Sequence, residues 1–350
     1  MTNVTAKQQL HDRVSTIDEL CQGFVDETEE RFPALKDKLS VYNIHSLRLY
    51  SGRDMPENKK EEALNCINKF YRINDLEGSE VILFENTDIK FIVLDMADVI
   101  KKEKLEKELS SLSGKAKKLL LYILDHELGH LTTPEGFKDN NLSEATIAEC
   151  IADSYSLLSH YQRYGTEEET ADDPANPLHR AIYMAKKNNK THAISHFTSF
   201  VLEEIIKRKD MIDFKNMDAD KTANLAWRFA MRYAPPPAVI DYLHEIYAPI
   251  VKSFSTSPED AFKELAKITL DPGNGYYGFR CGRILLDGYL RDEAAMDGKP
   301  LNIPQDERNA LRQKLKLREF KLAQEDILFN MPIVQKAAPA PNAVPARAPA

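Results

Sequence analysis

The chain has little of what marks most specialised proteins. Its four cysteines, Cys21, Cys66, Cys150 and Cys281, form no CxxC pair in 350 residues. That predicts reduced thiols in a cytoplasmic protein. There is no basic excess: 47 Lys+Arg stand against 55 Asp+Glu, a formal charge of −8. Nothing is therefore available to replace phosphate counterions, and no nucleic-acid partner is expected. The longest unbroken apolar run, Leu119 to Leu124, is far short of a membrane span, and the first residues, MTNVTAKQQL, show no apolar secretory segment. No membrane partner is expected either. No fixed repeat period argues for a solenoid. What is present is 43% apolar and 29% charged residues, a balance that suits a globular protein with a real core.

The patterning divides the chain into four parts. Residues 1–38 are charged, with Val14, Ile17, Leu20 and Phe24 at helical spacing, and predict one amphipathic helix packed on the body. In residues 39–165 a short strand is expected within Ile44 to Tyr50, a helix over Glu57 to Ile73, and two strands, EVILFE at 80–85 and DIKFIVLD at 88–95, joined at Asn86-Thr87. Helices over 115–132 and 142–164 follow, the second with Asn141 and Glu144 in a capping-box pattern. Residues 166–330 are expected to form a helical C-terminal subdomain, nearly everything from Pro174 to about residue 328 reading as helix. Ile194, Phe197, Val201 and Ile205 form one stripe there, and Val239, Leu243, Ile246 and Ile250 another. Prolines 235–237 break the chain, Ser257-Pro258-Glu259-Asp260 opens a further helix, and DPGNGYYG at 271–278 is expected to be a glycine-rich loop. Residues 331–350, mostly Ala and Pro, are expected to be disordered. The fold class implied is α+β, predominantly helical, with a small sheet.

Chemistry concentrates in LLLYILDHELGHL. A spacing of four puts His126 and His130 on one helical face a turn apart, within reach of one ion. Glu127, turned about 100° from His126, can address a water on that ion instead of binding it. With nine histidines in the chain, chance supplies only about 0.02 such HExxH occurrences per chain of this composition. Eighteen residues after His130 stands Glu149, and four further on Asp153. Tetrahedral zinc with a free position wants three protein ligands, and a carboxylate from an antiparallel neighbouring helix supplies the third. Glu144 and Asp153 are rivals for that place; the spacing and the ExxxD pattern favour Glu149. Asp153 then suits the outer N–H of a ligand histidine.

His126, Glu127, His130, Glu149 and Asp153 together resemble the gluzincin clan of zinc metallopeptidases, which includes thermolysin-like and alanyl-aminopeptidase-like enzymes. The strand–helix–hairpin–helix order of residues 40–165 is also similar to the zincin N-terminal subdomain. The resemblance implies a zincin-like core followed by an all-helical C-terminal subdomain. It implies one zinc on His126, His130 and Glu149, and Glu127 as the base that takes a proton from water and delivers it to the leaving amine. A further donor from the second subdomain would hold the oxyanion, with Tyr276 and Tyr277 the first candidates and Arg280 another. Peptides or proteins would be the substrates, cleaved internally: the GxMEN segment that holds a free amine in aminopeptidases is absent. Thr133 and Gly136 do not continue the metzincin pattern, and Cys66 lacks the glycine-flanked context of a deformylase. Two other readings compete, a helical interaction scaffold with a degenerate site and a zinc hydrolase of a non-peptide amide.

Plainer roles fit the remaining features. His192 and His196, also four apart, have Ala193 where a base would stand, and His160 and His179 are isolated. Cys150 reads as a small buried residue, and Lys186, Lys187 and Lys190 as a solvated spot. Trp227, Leu225, Phe229 and Tyr233 read as core. Gly129 inside the ligand helix costs about 1 kcal/mol relative to Ala, which close passage of a backbone or of substrate would explain.

Overall fold

The computed structural model describes residues 6–44, 46–52, 55–73, 80–83, 90–95, 114–132, 141–166, 197–254, 256–291 and 302–330. The 86–87 turn, the histidines at 179, 192 and 196, the lysines at 186–190 and the tail after residue 330 lie outside them. The chain divides into two units, Met1–Asn302 and Ile303–Ala350. In the first, helix α1 (Ala6–Arg31) leads into β1 (Leu39–Asn43) and β2 (Arg48–Ser51), then α2 (Glu57–Ile73), β3 (Glu80–Leu83) and β4 (Lys90–Leu94). Helices α3 (Gly114–Leu131), α4 (Leu142–Tyr164), α5 (Thr198–Arg208), α6 (Ala219–Tyr233), α7 (Pro237–Ser253), α8 (Pro258–Leu270) and α9 (Gly275–Arg291) follow. In the second unit the described residues form one helix, α10 (Gln305–Asn330). The protein is a predominantly helical α+β structure. No helix among the described residues is long and apolar enough to cross a membrane.

The four strands lie in the order β2-β1-β4-β3. β1 and β4 pair in parallel at the centre, with Val41 opposite Ile92, and β2 and β3 are antiparallel edges. Side chains alternate across this sheet. Leu39, Val41, Ile92 and Leu94 join the main core with α1, α3, α4, α5 and α6. Tyr42, Phe91 and Val93 face the other way, against Ala63 and Ile67 of α2. The sheet thus lies between α2 and the helices that carry the histidine motif.

The structure corrects several expectations. β1 falls where no strand was expected: all five residues of LSVYN are buried, the polar Ser40 and Asn43 among them, because the strand is covered on both faces. Its polar members find partners inside: Asn43 Nδ2 donates to Asp18 Oδ1 at 3.3 Å. The strand expected within 44–50 begins only at Arg48; Leu47 before it turns the chain at φ 55°. The buried stripe of α7 is Ile240, Leu243, Tyr247 and Ile250, so Val239 and Ile246 flank it. Ser257 sits at the N-cap of α8 but its side chain makes no cap bond. The expected loop at 271–278 is instead a short 3-10 turn, Pro272–Asn274, followed at once by α9. Trp227 is 36% exposed, since α6 turns Ala226, Phe229 and Ala230 toward the core and carries the indole round to the outside.

Candidate metal centre

Helices α3 and α4 run antiparallel and in register. Tyr122 O accepts from Ser156 Oγ at 2.7 Å, His126 meets Asp153, and His130 meets Glu149. The start of α4 is set locally: Asn141 Oδ1 accepts from Glu144 N at 2.9 Å. The separation of the helices is set by Gly129. A Cβ there would stand 2.6 Å from Ala152 Cα and 3.0 Å from its carbonyl oxygen. The backbone that this glycine admits is therefore that of α4.

That approach brings the motif histidines to Glu149. His126 Nε2 lies 3.2 Å from His130 Nε2 and 3.4 Å from Glu149 Oε2, and His130 Nε2 lies 3.5 Å from Glu149 Oε1. Ligand bonds of about 2.05 Å at tetrahedral angles leave donor atoms about 3.3 Å apart. The two imidazole nitrogens stand 3.2 Å apart, close to that value, and each faces a different oxygen of the Glu149 carboxylate, His126 facing Oε2 and His130 facing Oε1. Among the described residues these three side chains form a group able to hold a metal ion, with ligand atoms within 4.8 Å of one another.

The electron pairs point the same way. Asp153 is fully buried, and its Oδ1 lies 2.7 Å from His126 Nδ1. A buried carboxylate at that distance accepts, which assigns the proton to Nδ1 and leaves a lone pair on Nε2. His126 Nε2 and the Glu149 carboxylate are then both acceptors facing one point, with His130 Nε2 beside them. Atoms so arranged repel unless a cation or a proton lies among them. Glu127 is 5% exposed, one residue along α3 from His126. Burial, and after it the charges of Asp153 and Glu149, push the Cys150 thiol well above its ordinary range, as fits a small buried residue.

Tyr276 and Tyr277 stand in the first turn of α9. The Tyr276 hydroxyl accepts from Arg280 Nη1 at 3.0 Å, and the Tyr277 ring lies 5.9 Å from that of Phe200 on α5. Arg280 also donates to Glu203 Oε2 at 2.6 Å. What presents these groups is the packing of α9 on α5. His160 is buried, edge-on to Tyr122.

An ion network that left almost no mark in the sequence backs the ligand helix. Asp125, 1% exposed, is gripped by both terminal nitrogens of Arg163 on α4, and Arg163 Nη2 also reaches Glu27 Oε1 of α1 at 3.1 Å. Burial pushes the Asp125 carboxyl up to about 6 against the pull of Arg163. Burial works against the charge of Arg163 too, but Asp125 and Glu27 outweigh it and raise its pKa. The one sequence signal was an aspartate closing an apolar run; its partner 38 residues away had none.

Protein-family profiles, curated proteins and solved structures offer no match to this chain.

Proposed function

We propose that the chain is a zinc-dependent peptidase of the gluzincin kind, cleaving peptide bonds within peptides or proteins. The observation that carries the reading is the convergence of the His126 and His130 Nε2 atoms, 3.2 Å apart, on the two oxygens of the Glu149 carboxylate at 3.4 and 3.5 Å. Two imidazoles and a carboxylate suit zinc and leave a position for solvent or substrate. His126, His130 and Glu149 would hold the zinc, which would supply Lewis acidity to a bound water and to a carbonyl oxygen. The chain's own part is to aim the donors and move a proton. Asp153 orients His126, and Glu127 takes a proton from water and passes it to the leaving amine. The further donor to the oxyanion would be Tyr276, Tyr277 or Arg280, which stand together at the start of α9.

The test is metal analysis of the purified full chain beside His126→Ala and Glu149→Ala, with peptide hydrolysis measured on wild type and Glu127→Gln. One zinc per wild-type chain, little in the ligand variants, and a Glu127→Gln that keeps zinc but loses turnover are expected. A wild type that binds no zinc refutes the metal centre and leaves a proton among the three donors. Zinc without hydrolysis of peptides, and no effect of Glu127→Gln, points to a scaffold with an inert site. Turnover of a non-peptide amide alone points to the third reading.

A further inference from the structure

The Asp125–Arg163 pair sits badly with a purely stabilising role. Asp125 is buried, and the Arg163 side chain is only 15% exposed. Taking both charges out of water costs several kcal/mol per ion, and such pairs are often no better for stability than apolar residues of the same size. Their best-attested use is to fix how two elements register. Geometry gives this pair such a use. Asp125 immediately precedes His126 on α3, and Arg163 belongs to α4, the helix of Glu149 and Asp153.

Resting on the reading of His126, His130 and Glu149 as a metal centre, we propose that Arg163 is a positioning residue: its grip on Asp125 sets the roll of the histidine helix against the helix that supplies Glu149. The contact is a fork, Arg163 Nη1 to Asp125 Oδ2 and Nη2 to Oδ1, the latter at 3.2 Å. Two parallel bonds to a planar carboxylate resist rotation where a single point charge does not. The lever is short: with a helix radius of about 5–6 Å, a roll of about 10° moves a side-chain atom about 1 Å. Metal sites tolerate about 0.2 Å in each bond. Gly129 sets how closely α3 and α4 approach, and the fork sets which way α3 faces.

Helix α1 completes the device. Glu27 Oε1 accepts from Arg163 Nη2 at 3.1 Å and from Arg31 Nη1 at 3.2 Å. Arg31 Nη2 in turn donates to Gln162 Oε1 at 3.2 Å, next to Arg163 on α4. The guanidinium is thus held from its far side, and the N-terminal helix is part of the metal centre's framework.

The test uses the full chain and two metals alone: zinc, for affinity by competition with a chelator, and Co2+, whose visible absorption reports coordination geometry. The double variant Asp125→Leu/Arg163→Met removes both charges and should fold with a melting temperature near that of wild type. It is expected to bind zinc at least about tenfold more weakly and to change the Co2+ spectrum. Arg163→Lys keeps the charge without the fork and should show a smaller change in the same direction. A folded double variant with wild-type zinc affinity and an unaltered Co2+ spectrum overturns the proposal. If the double variant does not fold, Arg163→Lys decides, and wild-type affinity and spectrum there overturn it equally. Failure of wild type itself to bind zinc is a different result, which removes the metal centre.

Discussion

Replacing Gly129 by alanine adds one methyl group at the point where α3 and α4 come closest. The new Cβ would meet Ala152 Cα at 2.6 Å, its carbonyl oxygen at 3.0 Å and its carbonyl carbon at 3.2 Å. All three are backbone atoms, so no rotamer change relieves the clash. Carbon atoms rest about 3.5 Å or more apart, so the helices must separate by about 0.9 Å there. His130 is the next residue on one side, and Glu149 lies one turn from Ala152 on the other. The Glu149 contacts, now 3.4 and 3.5 Å, would open to about 4.4 Å, where a tetrahedral site needs about 3.3 Å. Overpacking costs about 1–3 kcal/mol and the better helix propensity of alanine returns up to about 1. The metal-free variant should therefore lose about 0–2 kcal/mol in urea unfolding, while its zinc affinity falls by more than about tenfold. A Gly129→Ala protein that binds zinc as tightly as wild type, or unfolds at higher urea, refutes the reasoning.

Four further outcomes are expected. Saturating zinc should raise the melting temperature of wild type, by about 2.7 kcal/mol of stability at a hundred times Kd; Asp153→Asn should weaken zinc binding about 10–100-fold without abolishing it, and unchanged affinity argues against its hold on His126. Burial alone would raise the Glu203 pKa, but Arg283 and Arg280 outweigh it and hold the carboxyl below its ordinary range. Its charged form therefore stabilises the fold above the unfolded value of about 4.3, a contribution lost as pH falls through the lower folded value. Glu203→Gln should flatten the melting temperature–pH curve on that acid side, and a curve parallel to wild type contradicts the assignment. Leu47 is 65% exposed at φ 55°, a conformation that costs a leucine about 1–2 kcal/mol, of which the freedom of glycine in the unfolded chain takes back about 0.5–1. Leu47→Gly should raise the urea midpoint, and a lower one shows that the leucine makes a contact that matters.

Local periodicity made much of this protein legible in its sequence. Helices α2, α3 and α4 fall within a residue of their expected ends, and β3 and β4 lie inside the two expected runs. His126 and His130 share a face because a helix repeats every 3.6 residues, and no tertiary contact is needed for that. The same signals fail where the environment is the same on all sides, or where a residue answers to something distant. β1 is a five-residue strand covered on both faces, so its polar Ser40 and Asn43 are buried with its apolar residues. The glycines of 275–278 read as a loop, but they open a helix packed on α5.

Sequence by itself determined which residue types could serve a metal and how far apart along the chain they stand. Only the packing of α3 on α4 decided that Glu149 faces the histidines, that Gly129 is there for Ala152, and that Asp125 is held by Arg163. The reason is one of range. Helix period and capping depend on neighbours within a turn or two, whereas the facing of one helix by another depends on both surfaces at once, down to the single missing methyl that lets them touch.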